Sequence, residues 1–360
     1  MPRIIHVASG REWRGGQRQV LLLARALSRE GDLSQTVITS RHSELERRLR
    51  SAGLSVESVP WSAGLDPRVI LPLIRVTRGS VRPILHAHDS HALALAALCA
   101  RWTGAALVAT RRVDFALRRP CPWRQANRVI AISHAVREVL IGSGVAPDRI
   151  SVIHSGIDLQ ATMETQPLNI RESLGLGGNC RIAVNVAALV GHKDHHTLVE
   201  TARLLRPRLP HLHWVVAGEG PLRREIEAQV AEAGLTGVVH LLGTIPDGVS
   251  LIADADVFVM SSSEEGLGTS VLDAMALGVP VVTTDAGGLP EIVGTQAGVI
   301  CSKGRPDQIA AAVERILADP VERERLTRAG HHRTVVFSDE RMASEHLPVY
   351  RSSSQMIEGK

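Results

Sequence analysis

The sequence predicts an α/β protein built from two doubly wound, Rossmann-like domains, and three observations predict it. Short apolar runs rich in β-branched residues alternate with amphipathic helical segments along nearly the whole chain, the pattern of a parallel sheet covered by helices on both faces. The alternation restarts as a second series at Cys180. The 360 residues amount to about two domains at the usual size of a single core. The expected division is residues 1–160, residues 161–335, and a terminal helix with a tail over residues 336–360.

In order, RIIHVAS (Arg3 to Ser9) is the first strand and QRQVLLLARALSREG the helix behind it. Between them lies GREWRGG, whose Gly15 and Gly16 stand directly before the helix, where a bare backbone can approach a ligand closely. A tight strand–helix turn would use the same pair. QTVITS, LSVESVP and ILHAHDS continue the strands, with helical patterns such as SELERRLRSAG between them. HAHDSHA sets His86, His88 and His91 at a strand end. Alternation puts His86 and His88 on one face and leaves His91 beyond it, so His88 reads as cleft lining and no metal site is expected. AALVATRRVDF is a strand entering a basic loop at Arg111 and Arg112. RVIAISHAVREVLIGSG supplies a strand and an amphipathic helix, and RISVIHSGIDL, with Ser155-Gly156, leads to the second series.

The strands of that series are RIAVNVAAL, HWVVAGEG, VVHLLG and DVFVM. Lys193 follows the first of them and is one of only three lysines in a chain with 38 arginines, so its presence there is less of an accident of composition. Asp254 and Asp256 flank the start of DVFVM, the end of a parallel strand that faces away from ligands, and read as structural. At its other end Ser261 to Gly266 is turn material, and TSVLDAMAL places Val271, Leu272, Met275 and Ala276 on one helical face. Gly268 sits at the mouth of that helix, Gly278 closes it, and VPVVTTD is the next strand. Such a corner aims unpaired amides and about half a positive charge at the crevice outside the strand ends, which makes the mouth of this helix, at Gly268, a phosphate site. Glu265 before the helix and Asp273 inside it face the same pocket. Carboxylates beside bound phosphate suit sugar and ribose hydroxyls, from which they accept hydrogen bonds. Gly287, Gly288 and Glu291 add a further loop at the crevice. RPDQIAAAVERILADPVERERLTRAG reads as amphipathic helix, FSDERMASEHLPVYRS as a terminal helix, and SSSQMIEGK as a disordered end.

Composition narrows the function classes. No run of 18 apolar residues occurs, and the N-terminus enters a strand pattern without a secretory apolar segment, so a cytoplasmic protein is expected. Cys99, Cys121, Cys180 and Cys301 show neither metal nor redox spacing, which fits free thiols. Residues 1–158 carry 23 Arg, no Lys and 12 acids, a net +11; the remaining 18 bases and 25 acids give −7. A basic half is drawn to polyanions or to an anionic membrane face, and an Arg-rich, well-solvated surface would look the same. The membrane face is the partner expected here, and nucleic acid is not.

The run E-G-L-G-T-S-V-L-D-A-M-A-L-G-V-P-V-V, an acid, seven residues and a second acid, resembles the nucleotide-sugar signature of the family 4 retaining glycosyltransferases. These are enzymes of the GT-B fold, in which two Rossmann-like domains face each other across a cleft. The resemblance spans nearly the whole chain and is strongest over residues 180–295. It implies that Glu265 contacts the transferred sugar, that Asp273, where the family usually has Glu, grips the ribose, and that the amides of Thr269 and Ser270 hold the diphosphate. Gly16 would face the donor phosphates across the cleft. Lys193 matches the Lys of a Gly-Arg…Lys-Gly motif that neutralises the departing diphosphate, although Ala188 stands at the Arg position. Where many members carry a His at the sugar-binding centre this chain has Arg111 and Arg112. Arg112 in that place would face the donor sugar or an anionic acceptor, and otherwise is a solvated loop residue, while Arg111 is expected to line the acceptor side of the cleft. The implied activity is metal-independent, retaining transfer of a hexosyl-type sugar, with a nucleotide sugar as substrate and no cofactor. The acceptor would be a glycan or lipid-linked glycan of lipopolysaccharide or cell-surface polysaccharide synthesis, met by the first domain at the inner membrane face. A nucleotide-sugar-binding protein without transferase activity and a nucleotide-sugar epimerase are the alternatives; the run around Glu265 argues against the second.

Overall fold

Two all-parallel sheets organise the chain, each built from strands whose order reverses once. The computed structural model describes residues 3–30, 33–61, 66–117 and 121–358. They divide into one unit made of Met1–Gly156 with Ser338–Lys360 and a second made of Ile157–Phe337.

In the first unit the strands are β1 (Arg3–Ala8), β2 (Ser34–Ser40), β3 (Val56–Val59), β4 (Pro83–Ala87), β5 (Ala106–Arg111), β6 (Arg128–Ala131) and β7 (Ile150–Val152). Their order is β3-β2-β1-β4-β5-β6-β7, so the winding reverses between β1 and β4, where His6 lies opposite His86. Ligands of doubly wound sheets bind at the carboxyl ends of the strands beside such a reversal. Asp89 ties this point together. Its carboxylate caps the helix Ser90–Thr103 by accepting from His91 and Ala92 amides, and it also accepts from the Ser9 amide at 2.7 Å and hydroxyl at 2.5 Å. The apolar face of the helix Gly15–Ser28 packs Leu22, Leu23 and Leu27 onto Ile4, Ile84 and Val108. The terminal helix Asp339–Glu358 fills the same core with Met342, Ala343, Val349 and Tyr350.

The chain leaves this unit at Gly156, whose peptide is gripped on both sides by Gln19: the side-chain oxygen accepts from the Gly156 amide at 3.1 Å and the side-chain nitrogen donates to its carbonyl at 2.8 Å. A Cβ at Gly156 would lie 2.6 Å from the Ser338 carbonyl oxygen and 2.8 Å from the Asp339 backbone, so only glycine lets the start of the terminal helix pass this close.

In the second unit the strands are β8 (Arg181–Val186), β9 (Leu212–Ala217), β10 (Val239–Gly243), β11 (Val257–Met260), β12 (Val281–Thr284) and β13 (Val299–Cys301), in the order β10-β9-β8-β11-β12-β13. The reversal here lies between β8 and β11. The edge strand β13 is absent from the sequence reading, because three residues carry no periodicity. The segment read as one helix from residue 305 onward is two, Pro306–Ala318 and Pro320–Thr334, broken where Asp319 caps the second and Pro320 starts it. The supposed disordered end is also corrected as far as Glu358, to which the terminal helix extends. Ser353 and Ser354 are buried, and Lys360 lies outside the described residues. Asp254 accepts from the Ile170 amide, and Asp256 pairs with Arg171 and Arg181, so both acids serve the scaffold. All four cysteines are free thiols. No helix among the described residues is long and apolar enough to cross a membrane.

Candidate functional site

At the carboxyl ends of β8 and β11 the second unit brings Lys193 and Glu265 together. Their ammonium and carboxylate form an ion pair with side chains only 16 % and 11 % exposed, deep enough for the pair to be weakly screened by solvent. The backbone on both sides is fixed. The Ser261 hydroxyl donates to the carbonyls of Lys193 (3.1 Å) and Asp194 (2.9 Å), and the His192 carbonyl accepts from the Ser263 and Glu264 amides. Asp194 adopts left-handed backbone geometry, φ 47°, and caps the helix His195–Leu205 through the Thr197 amide and hydroxyl. The Glu265 carbonyl accepts from the Gly288 amide at 2.8 Å, and the Thr284 hydroxyl donates to the Ser262 carbonyl. Thus the loops after β8, β11 and β12 are laced to one another, and Lys193 and Glu265, 72 residues apart, meet on a rigid base.

The helix Thr269–Ala276 begins immediately beyond Glu265, with Gly268 as its N-cap at φ 90°. A Cβ there would lie 2.5 Å from a Leu289 methyl, so glycine is required by both conformation and space. Thr269 and Ser270 are half-buried at the open end of the helix, where its first amides have no partner within the helix. The first turn itself carries no acidic side chain; the nearest carboxylate at this positive end is that of Glu265, whose Cγ packs against Gly268. Val271 to Ala276 is buried throughout, including Asp273 at 2 % exposure. Asp273 is therefore a wall residue already engaged with its surroundings. Nearby, His195 is buried and neither ring nitrogen has a partner among the described residues. Burial, then the Lys193 charge, lowers its pKa to about 4.

The first unit brings together Gly16, His88 and Arg112. The Arg112 side chain crosses Gly16 in the first turn of the helix Gly15–Ser28, with its Cδ 3.8 Å from where a Cβ would be. One guanidinium nitrogen contacts His88 Nδ1 at 3.2 Å, while the buried Nε has no acceptor among the described residues. Burial lowers the Arg112 pKa to about 10, which leaves it a cation at neutral pH. Arg111 turns the other way. Its guanidinium donates to the carbonyls of Val113 (3.0 Å) and Phe115 (2.7 Å) and lies 5.5 Å from the Trp123 ring centroid, so it pins the loop after β5. His91 is exposed and apart from His86 and His88.

Beside those two lies His6, which the sequence alone does not single out. His6 Nδ1 lies 2.9 Å from His88 Nε2, and His86 is bonded to the Thr110 hydroxyl and to Tyr350, the chain's one tyrosine. His6 has the parity of its strand's inward residues, but its partner lies 82 positions away, so only the pairing of β1 with β4 reveals the contact.

Against known proteins, the family description "Glycosyl transferases group 1" matches residues 168–333 and "Glycosyltransferase Family 4" matches residues 13–161. The chain is 32 % identical over 184 residues to the lipopolysaccharide core biosynthesis glycosyltransferase LpsE of Rhizobium meliloti, 51 % of this chain and 53 % of that protein. It is 32 % identical over 238 residues to an MMP α-(1→4)-mannosyltransferase of Mycolicibacterium hassiacum, 64 % and 55 % of the two. It thus spans about half the length of these relatives. Among solved structures it is similar to Anabaena HepE, crystallised with UDP and glucose, with TM-score 0.85 and 20 % identity over 97 % of this chain and 99 % of that one. A likeness at that identity establishes the shared GT-B fold.

Proposed function

The chain belongs to the glycosyltransferases of family 4 and group 1, and from that premise we propose that it moves a sugar from a nucleoside diphosphate to a glycan or lipid-linked glycan, with retention of configuration and without a metal. One observation carries the reading: a half-buried Lys193–Glu265 pair at the strand reversal of the second unit, directly before an uncapped helix end. Diphosphate oxygens suit the Thr269 and Ser270 amides and the Lys193 ammonium, which would stabilise negative charge as the sugar–phosphate bond breaks. Glu265 orients sugar hydroxyls, and Asp273 receives the ribose by exchanging a contact it makes within the wall. Arg112, a half-buried cation above Gly16, serves the donor sugar or an anionic acceptor. The solved neighbour with UDP and glucose and the lipopolysaccharide-core relative support a nucleotide-sugar donor and a cell-surface glycan acceptor.

A panel of UDP-, GDP- and ADP-sugars in a thermal-shift assay, with and without EDTA, tests this. One donor should stabilise the protein by about 2.7 kcal/mol at about 100-fold excess over its Kd, unchanged by EDTA. If a folded protein responds to none of them, the site is misread. Binding without turnover towards any glycan acceptor would favour the nucleotide-sugar-binding alternative, for which Ala188 at the motif's Arg position speaks.

Association with an anionic membrane has its own support in the first unit. Residues 57–105 hold five arginines and three acids, of which Glu57 and Asp66 pair with Arg75 and Arg68. The adjacent helices Ile70–Arg78 and Ser90–Thr103 and the turn after the first expose Leu71, Val81 and Trp102 at 75 %, 75 % and 53 %. They do so among Arg68, Arg75, Arg78, Arg82 and Arg101. Exposed aromatic and aliphatic groups on segments that also carry exposed arginines fit a headgroup layer, a basic residue without an acidic partner adding about 1 kcal/mol near an anionic surface. Flotation with vesicles of phosphatidylglycerol should carry the protein upward at low salt, and Arg78→Glu with Arg101→Glu should abolish it. Equal flotation with neutral phosphatidylcholine vesicles would remove this reading.

A further inference from the structure

A buried line of hydrogen bonds in the first unit ends on Arg112 and has one direction. Arginine only donates, so His88 Nδ1 accepts from its guanidinium, at 3.2 Å. A neutral His88 then carries its proton on Nε2, which donates to His6 Nδ1 at 2.9 Å. That contact places the His6 proton on Nε2, facing the Gln35 side-chain oxygen at 3.2 Å. The Gln35 amide nitrogen donates in turn to the Ala24 carbonyl at 2.6 Å. Ala24 belongs to the helix Gly15–Ser28, the same helix whose Gly16 lies beneath the Arg112 side chain. The line therefore returns to the element that Arg112 crosses.

We infer that Gln35, His6 and His88 are positioning residues that hold Arg112 in one orientation above Gly16, so that its guanidinium meets an anionic group of the substrate already aligned. The inference rests on the reading that Arg112 faces substrate during sugar transfer. The rings can do this only while neutral, since a protonated His88 has no lone pair for Arg112. Burial chiefly, then neighbouring charge, keeps His88 well below 6.5 and His6 at about 3. The groups facing the line are committed elsewhere. His86, with its ring centroid 4.1 Å from that of His88, is bonded to Thr110 and Tyr350 at 2.7 Å each, and His346 to the Met342 carbonyl.

A metal is the rival reading, because His6, His86 and His88 each bring a ring nitrogen within 4.8 Å of the others. All six ring nitrogens are engaged in the contacts just described. A divalent cation would have to break several of them and sit beside the Arg112 guanidinium.

Imidazole ¹⁵N spectra of the full chain at pH 7 provide the first test. Both His6 and His88 should be neutral with the proton on Nε2. A proton on His88 Nδ1, an imidazolium, or stoichiometric Zn²⁺ binding that shifts all three rings would overturn the inference. Kinetics provide the second. His88→Leu should lower kcat for transfer about tenfold through misalignment of Arg112, with the KM for the donor changed less than about twofold. His88→Gln, whose side chain both accepts and donates, should restore most of the loss. Gln35→Leu, at the half-exposed far end, should slow transfer a few-fold in the same way and carries the test if His88→Leu does not fold. Wild-type kcat in the folded Leu variants would overturn the inference. A wild-type protein that transfers no sugar yet shows both Nε2–H tautomers would overturn the transfer reading and leave the hydrogen-bonded line standing.

Discussion

Glu265→Gln is expected to slow sugar transfer by about two to three orders of magnitude and, at the same time, to tighten the binding of the bare nucleoside diphosphate. The opposite signs follow from the ion pair. The Lys193 ammonium is held by the Glu265 carboxylate, so a diphosphate must compete with that carboxylate for the same cation. Glutamine keeps the shape and one acceptor but removes the charge, and Lys193 becomes fully available to the phosphate oxygens. A gain of about five- to tenfold in affinity corresponds to about 1–1.4 kcal/mol, the scale of a partly screened ion pair. Transfer nevertheless falls, because Glu265 no longer accepts strongly from the sugar hydroxyls that set the geometry of the breaking bond. Lys193→Ala should lower turnover by a similar factor and weaken the diphosphate. It also leaves a poorly solvated carboxylate without its partner, which costs stability. Steady-state kinetics on both variants, with calorimetric titration of the diphosphate that matches the preferred donor, separate the two effects. Were Glu265→Gln to bind diphosphate more weakly than the parent while both variants keep parental turnover, the pair would be part of the scaffold only. The double variant should fall well short of the product of the single effects, since the two residues act as a unit.

This pair marks the limit of what the sequence makes legible. Glu265, Gly268 and the helix behind them lie within a dozen residues, and their order of strand, turn, glycine and helix is local information. Lys193 enters through a motif. That its ammonium meets Glu265 depends on β8 lying beside β11, a long-range pairing with no local signal. The same holds for His6, whose neighbours His86 and His88 are set by the register of β1 on β4. The terminal helix shows a different cause. Its last turns are polar in sequence, and Ser353 and Ser354 are covered only because the helix packs back onto the first unit; tertiary burial overrides local propensity. At Asp319-Pro320 the signal was present, since Asp before Pro is a helix start, but the apolar period continues across it on both sides.

Acidification is expected to unfold the first unit steeply below pH 6. His6, His86, His88 and His346 are all held below their ordinary value of 6.5, chiefly by burial, with His6 at about 3 and His346 at about 4. In the folded state they are neutral over this range, while the unfolded chain takes up a proton at each as the pH falls through 6.5. The unfolded state therefore binds more protons, and stability drops as pH decreases. Each ring contributes up to about 1.4 kcal/mol per pH unit, so four together approach about 5.5 kcal/mol per unit between about pH 6 and pH 5. A domain with about 5–15 kcal/mol in total loses its margin within a few units. In the second unit His195 is the one fully buried ring at about 4, while His213 and His240 are half-buried and also lowered, so its slope should be shallower. Amide exchange at Ile4 and Ile84, compared with Val184 and Phe258, reads the two units separately at pH 7, 6 and 5. His346→Leu should reduce the slope of the first unit by about 1.4 kcal/mol per pH unit, because it deletes one titrating ring whose hydrogen bond runs to a carbonyl of its own helix. A slope below that of a single proton would mean that the rings are already protonated or wet in the native state. A protonated His88 could not accept from Arg112 at all, so the acid stability and the orientation of the guanidinium depend on the same neutral histidines.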